Sequence, residues 1–378
     1  MRVLIVGVST RAAADSAARA GFEVIALDAY ADLDQRPSVR ALSLPRDFGT
    51  PFSPEAVVNA ARELPGDALV YLSSLENHPK AVDALTRGRA LWGNPPDVLR
   101  RVRDPNALVA AFAARGIRAP RVIGAGQAAS LPRDGERWML KPRVSGGGHG
   151  VRVWSHGEEV APGHYLQEFV EGTPGSVNFV AAGGRGVVLG ITRQLVGDAA
   201  FGSSGFRYCG NILLKDRGLV PDATALVDAV AAEFSLAGVG SIDVIASADG
   251  LQPVEVNPRW SASMELVERA RGISMFAVHA DACVKGELPA FDITASLDRG
   301  EVHGKAVVFS RQDVVTRDTR RWLDDPGIRD VPREGDRIVA GQPICTVLVT
   351  GSNEAGCYVR LVERAARIYG ELPSYPAT

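Results

Sequence analysis

Residues 241–259 read Ser-Ile-Asp-Val-Ile-Ala-Ser-Ala-Asp-Gly-Leu-Gln-Pro-Val-Glu-Val-Asn-Pro-Arg, two β-type runs around a turn signal at Ala248-Asp249-Gly250. A hairpin symmetric about Asp249 sets Asp243 directly opposite Glu255, since each lies six residues from that centre. Asn257 falls on the face of Glu255, while Ile242, Val244, Val254 and Val256 point the other way, into a core. Two carboxylates opposed on one sheet face repel each other. A sequence accommodates them when a cation bridges them or when they share a proton. Asp, Glu and an Asn carbonyl are hard oxygen ligands that suit Mg²⁺, which takes few protein ligands and completes its shell with phosphate oxygens and water. Taken alone, the pair also fits two solvated strand residues, or an acid pair of the glycosidase kind.

The surroundings narrow the choice. The chain has 378 residues, enough for two or three domains, and 46% hydrophobic against 23% charged residues, the balance of a soluble globular protein. Its formal net charge of −2 and the lack of a basic stripe exclude nucleic acid as an expected partner. No uncharged apolar stretch approaches membrane-spanning length, and the run Met1–Gly7 has a strand's length without a signal-type cleavage site. Four scattered cysteines (Cys209, Cys283, Cys345, Cys357) fit a reducing compartment and argue against a structural zinc site. The expectation is a cytoplasmic protein without a membrane partner.

Strands at Val3–Val6, Glu23–Leu27 and Ala68–Leu72 alternate with helices at Arg11–Ala20 and Pro54–Glu63, the βαβ rhythm of a parallel sheet; a Pro-rich surface stretch separates the second strand from the second helix. Trp92–Pro96 marks a boundary. The middle third is rich in strands and glycine, with an amphipathic helix at Pro221–Phe234. From about residue 300 the pattern becomes strands and turns, before a final helix near Val359–Tyr369. The expected fold class is α/β and α+β. It divides into an N-terminal α/β domain (1–97), a two-lobed domain (98–295, with a flap lobe at about 120–170 and a metal-binding lobe at about 171–295) and a β-rich C-terminal region (296–378).

Two further segments carry chemistry. Trp138-Met-Leu-Lys141 runs as a strand into Ser145-Gly146-Gly147-Gly148-His149-Gly150 and then into another strand. Glycines allow close backbone approach, their N–H groups cradle phosphate oxygens, and Lys141 adds a fixed positive charge. Because a strand follows, this is not a P-loop. Next comes Gln167-Glu168-Phe169-Val170-Glu171, an extended segment able to offer its backbone to an adenine edge and a carboxylate to ribose hydroxyls. A dinucleotide-dependent oxidoreductase is a rival, because Gly7 follows the first strand and Asp28 the second. Its turn, however, reads Gly7-Val-Ser-Thr-Arg-Ala, which is not GxGxxG.

Taken in order, Lys141 with Ser145–Gly150, Gln167–Glu171, Asp243 and Glu255-Val-Asn257-Pro-Arg259 resemble the ATP-grasp superfamily. Ser73-Ser-Leu-Glu-Asn77, Trp92-Gly-Asn94 and Gly341-Gln-Pro-Ile-Cys345-Thr-Val resemble its branch of ATP-dependent carboligases and carboxylate–amine ligases, which includes tyramine–glutamate ligase-like enzymes of C1-carrier cofactor biosynthesis. The resemblance implies ATP between two lobes, with Lys141 on the α- or β-phosphate and the flap residues Ser145, Gly146, Gly147, Gly148 and His149 over the phosphates. The backbone of Glu168 and Val170 would meet adenine, and Glu171 or Glu168 the ribose. Asp243, Glu255 and Asn257 would hold one or two Mg²⁺, with Mn²⁺ as a substitute. Arg259 would steady the transferred phosphoryl group or the substrate carboxylate. Relatives carry an additional nucleotide-binding lysine where this chain offers Arg100, Arg101 and Arg103.

The implied reaction is ADP-forming ligation of a small-molecule carboxylate to an amine through an acylphosphate. Arg193, Gln194, Arg207 and Ser261 join Arg259 as acceptor-site candidates, and a homodimer is a common assembly of such relatives. Two alternatives keep the nucleotide site: a bicarbonate-dependent carboxylase and a non-catalytic nucleotide-binding protein.

Overall fold

The computed structural model describes residues 1–125, 135–297 and 300–372. Its first sheet is wholly parallel, ordered β3-β2-β1-β4-β5, from β1 (Arg2–Val6), β2 (Glu23–Asp28), β3 (Val39–Ser43), β4 (Ala68–Tyr71) and β5 (Ala90–Leu91). Parallel strands are buried on both faces, and the side chains of β1 divide accordingly. Val3 and Ile5 pack with Ala13, Ala14 and Ala17 of the helix Arg11–Arg19. Leu4 and Val6 pack with Val57 and Ala60 of the helix Pro54–Ala61. The stretch expected to be Pro-rich surface therefore holds β3 and a short helix, Leu44–Phe48. β3 is an edge strand with a mixed exposure pattern, so its local sequence carries little β signal.

The oxidoreductase reading loses its acidic residue here. Asp28 accepts hydrogen bonds from the Thr10 N–H (2.9 Å) and hydroxyl (2.6 Å) and from the N–H groups of Tyr30 (2.8 Å) and Ala31 (2.7 Å). With its acceptor sites occupied by the loops it closes, it is a structural cap.

A second, antiparallel sheet, β6-β9-β7-β8, comprises β6 (Val122–Gly124), β7 (Trp138–Pro142), β8 (Arg152–Val153) and β9 (His164–Glu168) around a small core of Ile123, Trp138, Leu140, Trp154, Val160 and Leu166. The glycine-rich flap joins β7 to β8.

The largest sheet has eight strands. Five are β10 (Thr173–Ala182), β11 (Arg185–Val196), β12 (Tyr208–Leu213), β13 (Gly238–Ser247) and β14 (Gly250–Asn257). β15 (Val302–Phe309), β17 (Ile328–Arg329) and β19 (Pro343–Gly351) complete the order β14-β13-β10-β11-β12-β15-β19-β17. The remaining strands, β16 (Val314–Val315) and β18 (Arg337–Ile338), pair separately. The β-rich region after residue 296 is thus no independent unit. β15 pairs with β12 at Gly210–Ala306, Asn211–Lys305 and Ile212–Gly304, and extends the central sheet.

One core spans the expected boundary at Trp92–Pro96. Val3, Ile5 and Val24 share a cluster with Val180, Val239, Met264 and Phe276, and Trp92 packs against Phe22 and Phe276. Asn94, 2% exposed, donates to the carbonyls of Ala237 (3.2 Å) and Pro258 (2.9 Å) and accepts from the Ala237 N–H (2.9 Å). The first sheet is thereby tied to the segment that follows β14. Among the described residues no helix is long and apolar enough to cross a membrane.

Candidate active site

β13 and β14 place Asp243 opposite Glu255 and Ser241 opposite Asn257. The pairing arises differently from a symmetric turn. Ser247 pairs with Gly250 around a two-residue turn, a register that by itself would set Asp243 against Val254. A β-bulge at Val254 adds one residue to β14 and brings Glu255 across from Asp243. Ile242, Val244 and Val256 are buried as expected, whereas Val254, the bulged residue, is only half-buried.

Asp243 accepts from Gln194 Nε2 at 2.9 Å and from Asn257 Nδ2 at 3.0 Å. Burial and the facing Glu255 charge push its carboxyl up to about 6. Burial also acts to raise Glu255, but the charges of Arg103 and Lys141 outweigh it and hold that carboxyl below its ordinary value. The pair is thus asymmetric, with one strongly held carboxylate and one more easily protonated.

Of Arg100, Arg101 and Arg103, only Arg103 enters the cleft. It donates to Glu255 Oε1, to the carbonyls of Val256 (3.1 Å) and Ser145 (3.4 Å), and to Asn77 Oδ1 (3.1 Å). One guanidinium so joins the β13–β14 hairpin, the flap root and the loop after β4. Arg101 turns outward to Glu233 and the Phe234 ring, and Arg100 is exposed. Arg103→Lys keeps the charge and loses the planar fork. Its expected effect is an ATP–Mg²⁺ KM raised about ten-fold or more, the value of one or two charge-assisted hydrogen bonds. An unchanged KM in steady-state assays would show that the fork does not shape the nucleotide site.

Lys141 donates to Gln167 Oε1 (3.0 Å), and Gln167 Nε2 donates to the carbonyl of the bulged Val254 (3.1 Å). Gln167 is therefore a buried strut between the flap sheet and the hairpin. In the flap, Ser145 Oγ bonds the His149 carbonyl (2.5 Å), and His149 is exposed. The neighbouring stretch is more engaged than its sequence suggests. The Glu168 carboxylate bonds the Arg121 side chain and N–H, and its own N–H bonds the Arg121 carbonyl. Arg137 stacks 3.9 Å over the Phe169 ring and reaches Glu171, which is otherwise exposed, while Val170 lies beyond the end of β9. Of the two candidate ribose carboxylates, Glu171 is the less engaged.

The acceptor candidates separate. Gln194 faces Asp243, but Arg193, one residue earlier on β11, alternates to the opposite face, in register with Gly175 and Ile212. The expectation that both line the cleft is corrected for Arg193. Arg207 lies apart, donating to the Gly341 carbonyl (2.7 Å). Ser261 bonds Asn178 Oδ1 (3.3 Å) and Ser263 (3.0 Å), next to the fully buried Asn178 Nδ2, which has no partner among the described residues.

Arg259 donates through Nε (3.0 Å) and Nη2 (2.8 Å) to Glu76 Oε1 and through Nη2 to Asn257 Oδ1 (3.1 Å). Glu76 is 1% exposed and its other oxygen has no partner among the described residues. It was not among the expected site residues. The available signal was an acid just beyond the C-terminal end of a parallel strand, β4, where α/β sheets place their ligands.

Residues 103–263 match the ATP-grasp domain family. No curated protein matches the chain in sequence. Among solved structures, it superimposes on L-amino acid ligase from Bacillus licheniformis with a TM-score of 0.67 at 17% identity, covering 98% of this chain and 97% of that one. The biotin carboxylase domain of Hydrogenobacter thermophilus 2-oxoglutarate carboxylase, solved with MgADP, ADP and bicarbonate, gives a TM-score of 0.69 at 14% identity over 98% and 90% of the two chains. Rhizobium etli pyruvate carboxylase gives 0.73 at 16% identity over 97% of this chain, which spans only 37% of that protein. At these identities the likeness is one of fold. With the matched residues running from Arg103 through the hairpin to Ser263, the central part of this chain is an ATP-grasp domain.

Proposed function

We propose that the chain is an ATP-dependent ligase that activates a substrate carboxylate as an acylphosphate and joins it to an amine. The reading rests on the convergence of Lys141 from the flap sheet, Arg103 and Arg259 from the segments flanking the hairpin, and the Asp243–Glu255 pair on one cleft. The donor set suits Mg²⁺. Two carboxylates lie side by side, one of them destabilised by its neighbour, with Asn257 on the same face between Asp243 and Arg259. Among the described residues no group of three or more His, Cys, Asp or Glu is placed to hold a metal ion, and phosphate oxygens and water would complete the shell of an ion at this pair. Bound there, the ion would neutralise phosphate charge and align the β- and γ-phosphates.

The protein's own residues position the reactants. Lys141 and the flap N–H groups hold the phosphates, and Arg259, fixed by Glu76, receives the substrate carboxylate. A carboxylate oxygen attacks the γ-phosphorus and the bond to ADP breaks. The amine nitrogen then attacks the acyl carbon, phosphate departs with the C–O electron pair, and the amine proton passes to phosphate or solvent. The closed flap keeps out the water that would hydrolyse the acylphosphate.

A screen of carboxylate–amine pairs, including glutamate and aromatic amines, is expected to show ADP release only when both partners are present. ADP release that needs bicarbonate instead of an amine would transfer the site to carboxylase chemistry. ATP binding without stimulated turnover across the panel would leave a nucleotide-binding protein.

A further inference from the structure

Beyond the nucleotide cleft lies a cavity of about 630 Å³, walled by the flap tip, the glycine-rich loop 202–207 and the C-terminal residues Ser310, Arg311, Ala340 and Gly341. Among the described residues no carboxylate lines it, although the whole chain holds 44 Asp and Glu against 42 Lys and Arg. It contains His149, Arg207 and Arg311 instead. Both guanidiniums are braced by carbonyls and aromatic faces. Arg207 bonds the Gly341 carbonyl (2.7 Å) and stands 5.1 Å over the Phe309 ring. Arg311 bonds the carbonyls of Ala199 (3.0 Å) and Ala200 (3.3 Å) and stacks 3.9 Å from the Tyr369 ring. Among the described residues neither forms an ion pair. The acid preceding the loop, Asp198, is taken up by the Ala200 N–H and the Tyr358 hydroxyl. Held cations without counter-charges in a hollow attract an anion.

The cavity is walled partly by the flap and is linked to Asp243 through β12 and β11. The Tyr208 N–H donates to the Gly147 carbonyl (3.1 Å), and its hydroxyl donates to Asn211 on β12. Asn211 is in register with Gln194, which bonds Asp243. Flap tip, cavity rim and carboxylate pair are thus linked across two strands. Gly148, at φ +78°, is packed so tightly that a Cβ there would lie 1.9 Å from the Phe206 carbonyl oxygen.

We propose that this cavity receives the anionic end, carboxylate or phosphate, of the second substrate, and that it is complete only while the flap tip is docked on the loop. The inference rests on the ligase reading for what is bound, not for where the anion sits. Calorimetry of the full chain with saturating MgADP, titrated with inorganic phosphate and separately with succinate, tests it and distinguishes the two anion types. At least one probe is expected to bind. Arg207→Gln and Arg311→Gln should each weaken it roughly ten- to a hundred-fold, the value of a charged hydrogen bond. Gly148→Ala should weaken it too by displacing the wall. MgADP affinity should stay within about two-fold in both arginine variants, which also reports on folding. A phosphate signal lost in Lys141→Met but kept in both arginine variants would overturn the proposal, because the anion would then sit in the nucleotide cleft. Binding of neither probe to the unaltered protein would also overturn it. If arginine-dependent anion binding persists in a protein that turns over no carboxylate–amine pair, the cavity stands and the ligase reading fails.

Discussion

Asp243→Asn and Glu255→Gln are each expected to lower Mg²⁺-dependent kcat/KM by about a hundred- to a thousand-fold, or about 3–4 kcal/mol of transition-state stabilisation. The two changes fail for different reasons. Both Asp243 oxygens accept N–H bonds, from Gln194 and from Asn257. An asparagine offers a single oxygen, so its amide nitrogen must confront one of those donors as well as lose the charge. Glu255→Gln keeps an acceptor for Arg103 but leaves that guanidinium beside a neutral partner, adding positive charge where the cation should bind. Folding should survive both, because the pair lines a cleft and the core side of the hairpin is untouched. Calorimetric ATP titration with and without Mg²⁺ is the check. Metal-dependent binding retained in both variants would remove the hairpin from the metal site.

The hairpin was legible in the sequence because its information is local: two β runs, a turn signal and a polar–apolar alternation. Even so, its pairing came out right through two offsetting features, a two-residue turn and a bulge at Val254. A bulge has no local signature strong enough to be read from one sequence. The parallel N-terminal sheet was legible for the same local reasons, apart from its edge strand β3. Joining β15 to β12 was not, because strand pairing between distant segments depends on faces that meet only after folding. Within the candidate site, Lys141, Gln167, Asp243, Glu255 and Arg259 are named by local motifs, and the fold brings them together. Glu76 and Arg103 act through tertiary partners 183 and 152 residues away, which no spacing rule connects. Arg193 and Gln194 show the converse. Adjacent in sequence, they stand on opposite faces of one strand.

The largest stability effect is expected at Glu265, outside the cleft. It stands on the helix Met264–Arg271, directly after the segment that carries Arg259 and Ser261. Its two oxygens accept from Arg11 (2.9 and 3.1 Å), and Lys305 Nζ reaches Oε2 at 2.7 Å. Arg11 also donates to Asp330 Oδ1 at 2.7 Å. The first helix, the ATP-grasp domain, β15 and the C-terminal region therefore meet at one buried cluster, in which Arg11 also stands 3.6 Å from Asp34 and 3.9 Å from Asp15. Burial acts to raise the Glu265 carboxyl, yet Arg11 and Lys305 hold it well below its ordinary value, and Asp330 is lowered by the same two cations. Glu265→Met removes the carboxylate shared by Arg11 and Lys305 and leaves the buried Lys305, among the described residues, with only the Ala262 carbonyl at 3.4 Å. The expected loss is about 3–5 kcal/mol, the cost of breaking a buried pair from one side. The pH dependence follows from the lowered values. Both carboxylates bind fewer protons folded than unfolded, so their stabilisation is full above roughly pH 4.5, the unfolded range, and drains away as pH falls toward the depressed folded values. Denaturant unfolding between pH 7 and pH 3 should therefore show a steep acid loss in the unaltered protein and a shallower one in Glu265→Met. Parallel profiles would mean that the cluster does not join the domains energetically.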